Sequence, residues 1–231
     1  MNTTDENENY ALFFAKAQNI KVIALDCDGV LFDSKEANIQ FYTHIMAQIG
    51  RPPVRPDQHE YIHMHPVRES LLYLIGEDRE AFDRAFLYFQ KIDFEPFNGY
   101  LSMEPGLIEF LEPAHSLFST ALATNRTIST LQLLDRYDLS KYFDLVVSAS
   151  DVQFPKPHPE IILRIISTFG VSPGQVLYIG DSKVDEAAAL ASGVLFAGYK
   201  NPLLTADLHI NHFQELNSLF PNSSRHAWES Q

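Results

Sequence analysis

Two aspartates, Asp26 and Asp28, stand one residue apart at the end of the apolar run 22–25, and Gly29 follows them. A run without polar alternation is typical of a strand buried on both faces of a parallel sheet. Such sheets bind ligands at the carboxyl ends of their strands, where both carboxylates emerge. Two like charges this close are costly unless a cation or a shared proton separates them. The pair therefore predicts a Mg²⁺ site and one carboxyl group that carries a proton. A surface turn rich in Asp and Gly is the alternative.

Three further loops place polar residues after predicted structural elements. Thr124-Asn125 follows an apolar strand, Lys156 stands between two prolines, and Asp181 and Asp185 open the loop after the next apolar strand. Because strand ends of a parallel sheet converge, all four loops can share one crevice. Each loop alone has a plainer explanation: a helix N-cap, a solvated lysine, or acids at a helix start.

These residue types suit phosphoryl transfer. One carboxylate can attack phosphorus and form an aspartyl phosphate, while a second protonates the leaving oxygen and then deprotonates water. Mg²⁺ takes hard oxygen ligands, including carboxylates and a phosphate oxygen. A hydroxyl and a lysine stabilise charge on the transferring group.

The apolar periodicity predicts an α/β fold with a Rossmann-like parallel sheet. Strands are predicted at 22–25, 117–123, 145–148, 175–179 and 194–197, with a last one ending at Ile210. Helices are predicted at 34–49, 67–75, 78–91, 107–111, 127–137, 157–169 and 184–191, with Ser34 as the N-cap of the first and a His-rich turn before the second. Residues 33–103 are all helical, which predicts a helical domain inserted into a core made of residues 1–32 and 104–231. The aromatic residues of 78–91 are expected to form its core.

Composition narrows the function classes. Thirty acids against 17 bases give a net charge of −13, which argues against a nucleic-acid partner. The lone Cys27 excludes an internal disulfide and fits a small core residue in a cytoplasmic protein. No apolar stretch is long enough to span a membrane, and residues 1–9 lack a signal-peptide pattern. Residues 1–9 and 221–231 are expected to be loose tails.

With four motifs in order over about residues 20–220, the chain resembles phosphatases of the haloacid dehalogenase superfamily. The nearest likeness is to the phosphoglycolate-phosphatase-like and β-phosphoglucomutase-like members, which have a helical cap. The resemblance implies Asp26 as nucleophile and Asp28 as general acid/base. It implies that Thr124 binds the phosphoryl group with Asn125 close by, and that Lys156 clamps that group.

The resemblance also implies a metal site and a substrate class. Asp181 would ligate Mg²⁺ together with Asp26 and the backbone carbonyl of Asp28, with Gly29 in support. Asp185 would orient Lys156 or a metal-bound water. The expected function is Mg²⁺-dependent hydrolysis of a small phosphorylated metabolite under a mobile cap, by a monomer or homodimer.

Three other functions stay open. Asp28 disfavours dehalogenation but allows a phosphosugar mutase, although the cap histidine of such mutases is replaced here by Asn38. A phospho-acceptor receiver domain, or a binding protein whose site has decayed, would need no turnover.

Several cap and flanking residues receive separate hypotheses. Arg68 is expected to bind an anionic substrate group, or else to form a salt bridge at a helix start. His59, His63 and His65 form a cluster that fits a polar cap surface better than a zinc site, since no third ligand has fixed spacing. Arg126 would approach the phosphate or pair at the surface, and Lys183 is expected to be a surface residue.

Overall fold

A six-stranded, wholly parallel sheet carries the core of this computed structural model, which describes residues 12–65, 67–126 and 129–220. The strands are β1 (Val22–Leu25), β4 (Ser119–Ala123), β5 (Leu145–Val147), β6 (Val176–Gly180), β7 (Leu195–Tyr199) and β8 (Leu208–Ile210). Their order is β5-β4-β1-β6-β7-β8. The predicted α/β class is confirmed, and all four residues of β1 are buried, as its unbroken apolar run requires.

Helices connect these strands and fill the inserted segment. They are α1 (12–17), α2 (Lys35–Gln48), α3 (His59–Met64), α4 (Val67–Ile75), α5 (Arg79–Phe89), α6 (Leu107–Leu117), α7 (Ser129–Arg136), α8 (Glu160–Phe169) and α9 (Lys183–Ser192). Short 3₁₀ turns lie at Pro56–Gln58, Glu95–Tyr100, Ser140–Tyr142, Ala149–Asp151, Pro173–Gln175 and Phe213–Leu219. Two short strands, β2 (Phe32–Asp33) and β3 (Ser102–Met103), pair with each other.

The described chain falls into two compact units. One contains the residues up to Leu31 together with those from Met103 onward, and the other is Phe32–Ser102. Each unit has its own apolar core. In the first, residues of β1, β4 and β6 pack against α8 and α9. In the second, α2, α4 and α5 supply a core that includes Phe82, with Phe86, Tyr88 and Phe89 packed against it.

Several local predictions differ from the structure. The His-rich segment is the helix α3 rather than a turn. Helix α6 does not end at Leu111 but continues through Pro113 to Leu117, because Phe110 and Ala114 are buried along the same face. The extension moves the start of β4 to Ser119.

The N-cap of α2 and the start of α8 also differ. Ser34 is the N-cap as predicted, but its side chain makes no capping bond, and the Asp33 carboxylate accepts from the amide of Lys35 at 2.9 Å instead. Helix α8 begins at Glu160 because three prolines occupy 155–159. The first residues of the helix predicted at 127–137, and the expected tails, lie outside the described residues.

In the described part of the chain, no helix combines the length and the apolar character needed to cross a bilayer. The expected cytoplasmic location stays a prediction.

Candidate active site

The end of β1 lies between the ends of β4 and β6. Leu25, its last residue, pairs with Leu122 on one side and with Ile179 on the other. The chain leaves β1, builds β4 and β5 on one side, and returns to build β6 on the other. The loops after β1, β4 and β6 therefore emerge at one level, at the point where an α/β sheet opens a crevice for ligands.

Lys156 connects all of these loops. Its Nζ lies 2.7 Å from Asp26 Oδ1, 2.6 Å from Asp185 Oδ1, and 2.9 Å from both the carbonyl oxygen of Ala123 and the hydroxyl of Tyr178, so its three N–H donors are shared among four acceptors. The residue is 4% exposed, so the alternative of a solvated loop lysine is wrong. Burial acts to lower the pKa of Lys156, but the charges of Asp185 and Asp26 outweigh burial and raise it. The ammonium is therefore a fixed positive charge against Asp26.

Asp185 is fully buried and saturated with donors. Oδ1 accepts from Lys156 and from the Tyr178 hydroxyl at 2.5 Å, and Oδ2 accepts from the amide of Ser182 at 3.1 Å and from its hydroxyl. Burial acts to raise the pKa of Asp185, but the charge of Lys156 and these bonds lower it overall. Ser182 and Asp185 form the capping box of α9. The Asp185 carboxylate therefore both caps the helix and pairs with the ammonium of Lys156.

Asp26 and Asp181 carry less compensated charge. Burial raises the pKa of Asp26 to about 7, with Lys156 opposing and Asp185 adding to the rise. Burial and the charges of Asp185 and Asp26 raise the pKa of Asp181 well above its usual range. One carboxylate oxygen from each of Asp26, Asp181 and Asp185 lies within 4.8 Å of the others, and this is the acidic group among the described residues that could hold a cation.

Gly29 allows Asp181 to approach the first loop. Its φ is +79°, and a Cβ built there would lie within 2.9 Å of all three carboxyl atoms of Asp181. Gly180 is similar, since a Cβ there would be 2.5 Å from Cβ of Asp185. Both positions need glycine for close approach, and Gly29 also needs it for its left-handed backbone.

Thr124 and Asn125 both lie in the crevice but make different contacts. Thr124 is buried, and its Oγ1 accepts from the amide of Arg126 at 3.0 Å. Nδ2 of the Asn125 side chain donates to the backbone carbonyl oxygen of Lys156 at 2.8 Å, and its Oδ1 accepts from the backbone N–H of Lys156 at 2.9 Å. Asn125 therefore holds the Lys156 loop by both backbone groups, a task that the plain N-cap alternative does not include.

Asp28 pairs with Arg126 across 98 residues of chain. Nε and Nη2 of Arg126 donate to the two carboxylate oxygens at 2.8 and 3.1 Å. The Asp28 side chain is 40% exposed and that of Arg126 is 16% exposed, so this pair faces solvent more than Asp26 does. Between the two acids, Cys27 is fully buried, and burial and the charge of Asp28 raise the pKa of its thiol. It is a core residue, as expected.

The predicted residues of the inserted unit have local partners. The guanidinium of Arg68 lies 5.4 Å from the ring centroid of Phe82 and 5.6 Å from that of Phe86. His63 Nδ1 lies 3.2 Å from the amide nitrogen of Asn38, and His65 Nδ1 lies 2.8 Å from the carbonyl oxygen of Tyr61. Substrate binding by Arg68 stays a prediction. In the core unit, Lys183 is exposed and pairs with Glu186, as expected.

Two residues of the site were not predicted from the sequence. Tyr178 contacts Lys156 and Asp185, and Asn201 Nδ2 donates to the carbonyl oxygen of Asp181 at 2.7 Å. A tyrosine within the fully buried strand β6 was a usable signal, because a buried hydroxyl needs a partner. Nothing in the sequence around Asn201 indicates its contact.

Comparison with known proteins shows the family of this chain. Residues 23–199 match the family model of haloacid dehalogenase-like hydrolases. A phosphorylated carbohydrates phosphatase of Thermotoga maritima is 33% identical over 180 residues, which cover 76% of this chain and 82% of that protein. A phosphoglycolate phosphatase of Salmonella typhi is 30% identical over 204 residues, which cover 77% and 80%.

A solved structure extends the likeness to the fold. The crystal structure of a HAD-superfamily hydrolase of subfamily IA, variant 1, from Geobacter sulfurreducens superposes with a TM-score of 0.74 at 36% identity. The match covers 87% of this chain and 97% of that one. The chain therefore belongs to the haloacid dehalogenase-like hydrolase family and is a phosphatase of that family.

Proposed function

We propose that this phosphatase hydrolyses a small phosphorylated metabolite with Mg²⁺, through an aspartyl phosphate on Asp26. The observation that carries the proposal is the position of the Asp26 carboxylate. One of its oxygens is bound to the ammonium of Lys156, and the carboxylate lies in the acidic group that it forms with Asp181 and Asp185. An attacking carboxylate needs a cation on each side of the incoming phosphoryl group, and this arrangement provides for both.

The charges of the site fit a divalent cation. When ionised, four carboxylates face two side-chain cations, which leaves two negative charges: the acids are Asp26, Asp28, Asp181 and Asp185, and the cations are Lys156 and Arg126. The donor set consists of carboxylate oxygens, the ligands that Mg²⁺ prefers. When bound, Mg²⁺ would supply Lewis-acid stabilisation of the phosphoryl oxygens.

The separate contacts divide the roles among the acids. Asp185 accepts four hydrogen bonds, so it suits the task of holding Lys156 better than that of ligating a metal. Asp26, Asp181 and the backbone carbonyl of Asp28 are then the proposed ligands. Lys156 holds one oxygen of Asp26 and leaves the other for the metal or for attack on phosphorus.

The second carboxylate suits acid/base work because of its surroundings. Asp28 follows Asp26 by two residues, and its side chain is more open to solvent. A general acid must reach the leaving oxygen and afterwards an incoming water, so partial exposure is needed. Thr124 lies at the end of β4 in the same crevice and is the proposed hydroxyl donor to the phosphoryl group. Asn125 supports it indirectly by fixing Lys156.

The proposed substrate class is a small phosphate monoester such as a phosphorylated carbohydrate or phosphoglycolate. It is supported by the activities of the Thermotoga and Salmonella relatives, a phosphorylated carbohydrates phosphatase and a phosphoglycolate phosphatase. The cap, residues 33–103, is proposed to select among such substrates, with Arg68 as one candidate contact.

The test is release of inorganic phosphate from a panel of such monoesters, in Mg²⁺ and in EDTA. Asp26→Asn should lower kcat by about 10³-fold or more, since the nucleophile is lost. Asp83→Asn, at an exposed position of α5, is the control and should keep wild-type turnover. Full turnover by Asp26→Asn, in a preparation free of contaminating phosphatase, would show that the nucleophile assignment is wrong.

A phosphosugar mutase is the second candidate. The observation that favours it is the imidazole of His63 beside Asn38, which supplies a titratable ring near the place where such mutases carry a cap histidine. A hexose 1-phosphate incubated with a trace of the bisphosphate separates the two functions. A mutase would give the 6-phosphate, whereas the proposed phosphatase gives free sugar and phosphate.

A further inference from the structure

The Tyr178 hydroxyl lies in the interior of the site and belongs to none of the four motif loops. Tyr178 is fully buried in the middle of β6. Its hydroxyl donates to Asp185 Oδ1 at 2.5 Å and accepts from Lys156 Nζ at 2.9 Å. Asp185 Oδ1 also accepts directly from Lys156 at 2.6 Å. Tyrosine, lysine and aspartate therefore form a closed ring of hydrogen bonds.

The ring determines how the ammonium is shared between two carboxylates. Lys156 Nζ lies 2.7 Å from Asp26 and 2.6 Å from Asp185, so the proposed nucleophile and a buried acid compete for it. The O–H of Tyr178 satisfies part of the charge on Asp185 Oδ1. Without that donor, the buried oxygen would draw Lys156 toward itself, because a carboxylate with fewer donors is a stronger acceptor for the remaining one.

From these contacts we propose that Tyr178 is a positioning residue for phosphoryl transfer, whose hydroxyl keeps Lys156 Nζ aligned on Asp26 by supporting Asp185. The inference rests on the proposed function, because it matters only where Asp26 attacks phosphorus beside Lys156. Tyr178 itself does not touch the reacting atoms.

Tyr178→Phe removes only the hydroxyl, and the structure offers a matched control. Tyr199 on the neighbouring strand β7 is also buried, and its hydroxyl donates to a carboxylate oxygen of Glu104 at 3.1 Å. Glu104 keeps a second donor from Lys200 at 2.5 Å. Tyr199→Phe therefore removes a comparable buried hydroxyl, which bonds to the Glu104–Lys200 pair and not to Lys156 or Asp185.

The experiment measures kcat and KM of the wild type and both variants with one active monoester in Mg²⁺, together with their urea unfolding midpoints. Both variants should lower the midpoint. Only Tyr178→Phe should lower kcat, by about tenfold or more, because only there does the lost hydrogen bond to a charged group support the partner of Lys156. Its KM should change less than threefold, because alignment acts on the chemical step.

The outcomes separate the positioning role of Tyr178 from the proposed function. Equal kcat in the wild type and Tyr178→Phe, or an equal fall in Tyr199→Phe, would overturn the positioning role. No Mg²⁺-dependent release by the wild type would instead overturn the proposed function. If Tyr178→Phe does not fold, 4-aminophenylalanine at position 178 provides the second variant, since it keeps the shape and replaces the O–H donor to Asp185 by a weaker N–H donor. With this weaker donor kcat should fall measurably, whereas the same substitution at position 199 should leave kcat unchanged.

Discussion

Replacing Gly29 by alanine is the sharpest test of the proposed metal site. Gly29 has a φ of +79°, and its missing Cβ would lie within 2.9 Å of every carboxyl atom of Asp181, whereas ordinary contact begins at 3.4 Å. The carboxylate must therefore move by at least 0.5 Å at its farthest atom. Mg²⁺ accepts only small departures from its bond lengths, about 0.2 Å. Gly29→Ala should thus remove Asp181 from the ligand set.

Gly170 supplies the control for backbone strain. It ends α8 with a φ of +64°, and a Cβ there would meet nothing within 4 Å. Gly170→Ala should therefore lower the free energy of unfolding by only about 1–2 kcal/mol, the cost of a left-handed alanine. Gly29→Ala should lower the free energy of unfolding by that amount and by about 1–3 kcal/mol more, because its Cβ overlaps Asp181 in a packed site.

The assay is urea unfolding in EDTA and at a fixed Mg²⁺ concentration above the wild-type Kd. The wild type and Gly170→Ala should gain the same free energy of unfolding from Mg²⁺. At a Mg²⁺ concentration far above both Kd values, Gly29→Ala should gain at least about 1.4 kcal/mol less, which corresponds to tenfold weaker binding. A full Mg²⁺ gain in Gly29→Ala would refute the assignment of Asp181 as a ligand. No gain in the wild type would refute the metal site altogether.

Two other predictions concern the charges around Lys156. Lys156→Met should lower the free energy of unfolding at pH 7 by about 3–5 kcal/mol, because it leaves Asp26 and Asp185 buried without their cation. A loss under 1 kcal/mol in urea titrations would contradict this. Lys183→Met, at an exposed ion pair, is the control. In EDTA, stability should also depend on pH through Asp26. Its pKa is raised from 3.8 to about 7, so between these values the folded state holds more protons than the unfolded one. Stability from this group is therefore intact below pH 4, falls as pH rises, and levels off above pH 7, with a total of about 4 kcal/mol at most. The slope should flatten in Asp26→Asn, and an identical slope in that variant would refute the attribution to Asp26.

The inserted unit shows where local patterns were sufficient and where they failed. Helix α4 was predicted at its observed bounds, because its apolar periodicity is local. Helix α3 was missed, since six residues rich in histidine carry a weak helical signal. In the core unit, α6 was predicted to end at Leu111 but continues through Pro113, because burial of Phe110 and Ala114 outweighs the local cost of a proline within a helix.

The sequence by itself determined the parallel α/β class and the four polar loops. A strand buried on both faces has a continuous apolar run, and turns after such strands are marked by short-range residue types, as at Asp26 and Gly29. These signals depend on neighbours a few residues away, so one sequence is enough to read them. The family membership followed from the order of the same motifs.

Only the tertiary structure decided which groups touch. The bond from Lys156 to Asp26 spans 130 residues, and that from Arg126 to Asp28 spans 98. A hydrogen bond depends on position to within tenths of an ångström, and no residue pattern encodes that across such separations. For that reason, the burial of Lys156 and its ring with Tyr178 became visible only once β1, β4 and β6 were side by side.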